Sequence, residues 1–226
     1  MLSRRRLLAA AAGAVAGVRR GAAAERRVVE DWQQAPIGHQ GIPPGWEAYE
    51  TPGGHPRYDF TVVEDAGRRA LRMRSDNEHS TIAHALDVDL ERTPMLAWWW
   101  KVVSFPKGAD LREKATSDAT GHLFVIWPRF PAMMRSRIIG YVWEPHAPAD
   151  AIFTSKKTGT LTYVVLRSGH EGLGAWVEER RDVAADYRKI YGSAPPNPPA
   201  LALSIDTNDT RARAEGLFGA IAFQSR

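Results

Sequence analysis

The sequence predicts an all-β fold, an antiparallel jelly-roll-like β-sandwich with one short helix near residues 183–191. Three observations carry the prediction. Apolar residues alternate with polar ones at period two in about ten short runs, turn-forming residues separate the runs, and no helical patterns alternate with them.

The runs follow in order. Tyr58, Phe60 and Val62 alternate with Arg57, Asp59 and Thr61, and Leu71 and Met73 with Arg72 and Arg74. Ile82, His84, Leu86, Val88 and Leu90 alternate with Thr81, Ala83, Ala85, Asp87 and Asp89. Further strands are expected at Leu96–Val103, His122–Trp127, Arg137–Glu144, Leu161–Arg167, Ala175–Glu179, Ala200–Asp206 and Leu217–Gln224. Between them lie turn segments such as Glu64-Asp65-Ala66-Gly67, Pro106-Lys107-Gly108 and Ser168–Gly174. The one helical pattern has Asp182 as its cap, Tyr187, Ile190 and Tyr191 on one stripe, and Gly192 as its stop.

A chain of 226 residues is long enough for one domain with a substantial core, expected over residues 25–226. The absence of cysteine excludes disulfides, thiolate metal sites and a cysteine nucleophile. The formal charge of +4 is unevenly placed. Setting aside Arg4, Arg5, Arg6, Arg19 and Arg20 leaves 25 basic residues against 26 acidic ones, which removes the electrostatic case for nucleic acid.

Met1–Ala24 reads as an export signal. Ser3-Arg4-Arg5-Arg6 begins it, Leu7–Val18 is an apolar run, and Gly21–Ala24 offers a small-residue cleavage site. The Ser-Arg-Arg-x-Leu-Leu pattern is of the twin-arginine type, with an ordinary secretory signal as the alternative. The apolar run is too short to span about 30 Å of hydrocarbon, so no transmembrane anchor is expected after leader removal. The expected location is periplasmic or secreted.

The common catalytic motifs are missing. His170-Glu171 lacks the second histidine of a helical zinc pair, since position 174 is Gly, and there is no Gly-x-Ser-x-Gly. Aromatic residues supply the first positive signal. In Trp98-Trp99-Trp100-Lys101 a strand sends Trp98 and Trp100 to one face and Trp99 and Lys101 to the other. Tyr141 and Trp143 share a face of another strand. Such rings suit the apolar faces of sugars, and filling the core is the alternative use for them.

Asp118 and His122 stand four residues apart before a strand. Asp206, Asn208 and Asp209 form an oxygen-rich turn that suits a hard cation such as Ca²⁺, or one whose side chains cap their own backbone. Glu178–Asp182 reads as an ion-pair network, with Arg181 and Asp186 reaching inward as the alternative. The histidines His39, His55, His79, His146 and His170 carry no spacing information.

Ser168-Gly169, Gly174–Val183, Asp186-Tyr187 and Tyr191-Gly192 together resemble the signature of a bacterial exported family, domain-of-unknown-function family 3047. Gly45-Trp46, Leu96–Lys101, Tyr141-Val142-Trp143 and Ile205–Thr210 extend the resemblance over most of residues 27–225. It implies a jelly-roll-like sandwich in a periplasmic or envelope setting and supplies no activity. The chain departs from the family pattern of two aspartates and a following arginine, having Ser117-Asp118 and His122 at those places.

The expected function is therefore a binding module for carbohydrate or envelope glycan. Trp99 and Trp143 would stack on it, Lys101, Asp118 and His122 would hydrogen-bond it, and Asp206, Asn208 and Asp209 would offer a cation site. The rivals are a glycan hydrolase or lyase pairing Asp118 with Glu144 or Asp206, and a protein-docking module.

Overall fold

The computed structural model describes residues 25–49 and 56–226; the expected export signal Met1–Ala24 and His55 lie outside the described residues. In chain order the strands are β1 (Arg26–Glu30), β2 (Glu47–Ala48), β3 (Asp59–Asp65), β4 (Arg68–Asp76), β5 (His79–Ala85), β6 (Met95–Ser104) and β7 (Ala119–Trp127). They continue with β8 (Arg137–Glu144), β9 (Ile152–Thr154), β10 (Leu161–Ser168), β11 (Val177–Asp182), β12 (Ala200–Asp206) and β13 (Arg213–Gln224). Two helices interrupt them, α1 (Ala132–Arg135) and α2 (Val183–Tyr191).

The strands form two sheets. The six-stranded sheet runs β11-β6-β13-β4-β3 with β1 also on β13, and the seven-stranded sheet runs β2-β5-β12-β7-β8-β10-β9. The expected sandwich is present, with one departure from an antiparallel plan. β8 and β10 pair in parallel, because the chain between them crosses over through β9, which lies antiparallel on β10.

The core lies between the sheets. Leu96, Trp98, Trp100 and Val102 of β6, with Ile221 and Phe223 of β13, face Leu123 and Val125 of β7, Tyr141 and Trp143 of β8, and Leu201, Leu203 and Ile205 of β12. Trp98 and Trp100 are thus the inward pair of the tryptophan run, and their rings meet Tyr141 and Trp143 at 5.5 and 6.1 Å. A second apolar cluster, including Leu111, Val142, Leu161, Tyr163 and Val165, lies on the outer face of the seven-stranded sheet. That sheet is therefore buried on both sides over much of its area.

Local chemistry sets the element ends. Ala66 and Gly67 both take positive φ, 52° and 74°, as a two-residue turn between β3 and β4 requires. β5 stops at Ala85, short of the expected Leu90: the Leu86 amide makes a last in-register bond to the Pro199 carbonyl, and Pro199 has no amide hydrogen to return one. β11 starts at Val177, since Ala175 is held in a turn by Gly172.

The helix α2 has the predicted caps. Asp182 Oδ1 accepts from the Ala185 amide at 2.9 Å, and Gly192 is left-handed with φ 69°. Tyr187 packs edge-on to Trp127 at 4.7 Å. Asp186 reaches inward, accepting from the Tyr141 hydroxyl at 2.8 Å and from Arg181 at 2.6 and 3.0 Å. The Arg181–Asp186 pair ties the helix to the end of the core; the wider charged stretch also holds Glu179–Arg167 and Asp182–Arg226 ion pairs.

Removing the Asp186 carboxylate leaves a phenol and a guanidinium without their acceptor. Asp186→Ala is expected to cost on the order of 2–4 kcal/mol in denaturant unfolding, and Tyr141→Phe about 1 kcal/mol.

Candidate functional site

The outer face of the seven-stranded sheet holds a cleft of about 500 Å³, within the range of small-ligand sites. Strand register builds its floor in rows. One row is Thr81 on β5, Ser204 on β12 and His122 on β7. The next is Ala83, Ala202, Phe124, Gly140 and Tyr163, and the third ends in Ile126, Ile138 and Leu161. The floor thus grades from polar to apolar along the strands. Gly140 is what lets two rings lie side by side: a Cβ there would stand 3.0 Å from Phe124 and 3.1 Å from Tyr163.

The polar row is partly self-satisfied. Thr81 Oγ1 donates to Ser204 Oγ at 2.7 Å, and His79 Nε2 lies 2.8 Å from Thr81 Oγ1. With the single Thr81 proton committed to Ser204, His79 is the donor to Thr81. His122 is different. Its ring lies nearly parallel to Phe124 at 5.0 Å and Tyr163 at 5.7 Å, it is 3% exposed, and neither ring nitrogen makes a well-formed hydrogen bond, the Ser204 backbone being a weak polar neighbour. Burial drives its pKa down to about 3, helped by His79 and Lys157, so the imidazole is neutral near pH 7.

Carboxylates and one ammonium close the polar end. Asp118 is fully buried, and its oxygens accept from the Asp209 amide at 3.1 Å, the Thr210 amide at 2.7 Å and the Thr210 hydroxyl at 2.5 Å. It anchors the turn after β12 from beneath and offers nothing to the cleft. Lys157, from the turn between β9 and β10, lies 3.7 Å from Asp206 and forms an ion pair with Asp209. Burial nevertheless pushes the Asp206 pKa up to about 7, against the pull of Lys157 and with the push of Asp118.

The residues singled out from sequence fall in three places. Trp143 is 1% exposed inside the core, where its Nε1 donates to the Gly169 carbonyl, so it has no free face for stacking. Trp99 and Lys101 lie on the outer face of the six-stranded sheet. There the Arg68 guanidinium covers Trp99 at 3.6 Å, while Lys101 and Trp176 share Asp65 at 2.5 and 2.7 Å. Hydrogen bonding from Lys101 holds the Asp65 pKa below its ordinary value. His122 and the turn anchored by Asp118 belong to the cleft.

The donor set of Asp206, Asn208 and Asp209 does not fit the expected Ca²⁺. Lys157 already lies against both carboxylates, and Asp206 Oδ1 accepts from the Asn208 amide at 3.3 Å. Among the described residues no group of three or more histidines, cysteines or acids is placed to hold a metal. The carboxylate pair of a hydrolase is not assembled either. Glu144 is buried and accepts backbone amides of Leu111, His146 and Ala147, which leaves Asp206 alone on the cleft wall.

Phe124, Tyr163, His79 and Lys157 were not singled out from sequence. Phe124 shares the strand phase of His122 two residues away, a signal open to anyone reading β7 for its outer face. Lys157 lies in a turn, and no periodicity marks it.

A family model described as "Protein of unknown function (DUF3047)" matches residues 44–222. The chain belongs to that family. No curated protein matches this DUF3047 chain. Among solved structures it is similar to a family 11 carbohydrate-binding module of a Clostridium thermocellum cellulosomal cellulase, with 10% identity and TM-score 0.46 over 91% of this chain and 97% of that one. It is also similar to the xyloglucanase domain of NopAA from Sinorhizobium fredii, with 9% identity and TM-score 0.42 over 85% and 99%. A family 29 carbohydrate-binding module from Piromyces equi has 9% identity and TM-score 0.39 over 91% and 93%.

His122 and Asp206 impose opposite pH dependences on stability. With its folded pKa depressed, His122 makes unfolding take up a proton between about pH 6.5 and 3, so its stabilisation is lost as pH falls. With its folded pKa raised, Asp206 makes unfolding release a proton between its ordinary value of 3.8 and about 7, so stability falls as pH rises. Relative to the unsubstituted chain, His122→Phe should gain stability on going from pH 6.5 to 4, and Asp206→Asn on going from pH 4 to 7. Each slope should approach ~1.4 kcal/mol per pH unit in urea unfolding.

Proposed function

We propose that this chain is an exported binding module that takes an uncharged carbohydrate in the cleft of the seven-stranded sheet. The observation that carries the reading is His122: a neutral imidazole on the cleft wall, flat against aromatic rings, with neither nitrogen in a well-formed hydrogen bond. Such a ring offers one donor and one acceptor, and an unpaired buried polar atom is costly. A hydroxyl can meet either need, and an array of hydroxyls can meet both. A charged ligand suits the cleft poorly, because Lys157 is already engaged by Asp206 and Asp209.

The graded floor supports the same ligand class. Phe124, Ile138 and Leu161 match the apolar face of a sugar ring, while Thr81, Ser117, Ser155 and Ser204 supply hydroxyls at the other end. The leader-type start of the sequence supports export to the periplasm or beyond. The reading moves the site away from Trp99, whose face is covered by Arg68.

Calorimetric titration with neutral oligosaccharides of hexoses and pentoses tests the proposal. Binding is expected, weakened at least ~10-fold by His122→Phe and by Phe124→Ala, and unchanged by Trp99→Ala. Binding lost in Trp99→Ala and kept in His122→Phe would place the site on the other sheet and sink the reading, as would no saccharide binding at all.

A further inference from the structure

The turn between β7 and β8 is built unlike the rest of the described surface. Pro128 and the segment 130–132 are exposed, as are Met134 and Arg135, while Arg129 and Ser136 are half-buried. Phe130 and Met134 are 89% and 81% exposed, more than any other large apolar side chain among the described residues. Residues 128–137 contain Arg129, Arg135 and Arg137 and no acid.

None of these three arginines meets a carboxylate within ion-pair distance, whereas eight of the other sixteen described arginines do: Arg27, Arg74, Arg92, Arg112, Arg167, Arg181, Arg213 and Arg226. Arg129 and Arg137 instead donate to the Tyr187 hydroxyl at 2.9 and 2.7 Å, and Arg135 donates to the Phe130 carbonyl at 3.4 Å. Neutral acceptors orient the guanidiniums and leave their charge uncompensated. The result is a turn with two bare apolar side chains and three cations that no carboxylate pairs.

We infer that this turn docks on an anionic lipid surface, with Phe130 and Met134 entering the apolar layer and the arginines meeting lipid phosphates. Two apolar side chains make a weak anchor, and so does a small basic cluster; together they make the two-signal combination that peripheral membrane binding needs. Exposed apolar side chains beside cations, with no acid in the segment, match a surface that is both apolar and anionic. No helix of the described residues is long and apolar enough to cross a membrane, so the contact would be peripheral. The inference does not depend on the carbohydrate reading, since neither Phe130 nor Met134 lines the cleft.

The absence of cysteine makes a direct test available. Met134→Cys in the full chain is labelled with an environment-sensitive nitrobenzoxadiazole, and Lys107→Cys, beyond the opposite end of β7, serves as the control position. Vesicles of phosphatidylcholine mixed with phosphatidylglycerol should raise emission at position 134 by about twofold or more, and pure phosphatidylcholine vesicles should not. Position 107 should stay unchanged, which separates insertion of this turn from vesicle binding through the apolar segment Leu7–Val18. Adding Arg135→Glu should abolish most of the rise, with the unfolding midpoint unchanged. Equal emission on both vesicle types, no rise at position 134, or a rise that survives Arg135→Glu overturns the inference. A rise with soluble polyglutamate but not with vesicles overturns it in favour of an acidic protein partner.

Discussion

Burial of the seven-stranded sheet on both faces is the constraint from which its chemistry follows. A strand such as β7 must satisfy Leu123 and Val125 against the core and His122 and Phe124 against the outer covering. A polar atom buried on the outer face then needs a hydrogen-bond partner, from the protein, from ordered water or from a ligand. Thr81 finds Ser204, and Asp118 finds the backbone and hydroxyl of Thr210. His122 finds ring faces and no well-formed hydrogen bond. The same covering that stabilises the sheet thus leaves one imidazole as the natural point of attachment for a molecule from outside.

Electrostatics in the cleft follow from this burial. Desolvation is the largest influence on His79, His122 and Asp206, and in each it favours the uncharged form. The contrast with Asp65 on the opposite sheet is instructive. That carboxylate is solvated and bonded to Lys101 and Trp176, and it is pushed the other way. One sheet presents paired charges to solvent, whereas the other lines its cleft mainly with uncharged rings and hydroxyls beside one ion-paired ammonium.

Much of the scaffold was legible in the sequence because its signals are local. Alternation marked β3, β4, β6, β8 and β12, and Asp182 and Gly192 marked both ends of α2. β1, β2 and β9 were not legible: two of them are very short, and all three lie at sheet margins, where no run of alternating residues is required. The parallel pairing of β8 with β10 was hidden for another reason, since parallel partners are set by a crossover and not by a turn. For the site, alternation separated Trp99 from Trp98 and Trp100, yet it said nothing of which layer Trp143 would occupy. Convergence of β5, β7, β10 and β12 on one cleft is a matter of register between distant segments. That is why His122 and Asp206 could be named while Phe124, Tyr163 and Lys157 could not.

Lys157 has a consequence for kinetics. Its ammonium bridges from one hairpin to the turn after β12, so it acts as a latch across the polar end of the cleft. Mobile ions in the surrounding medium compete for the same carboxylates, and they would loosen that latch without touching the floor beneath it. Entry and exit of an occupant would then respond to ionic strength even where the occupant itself carries no charge.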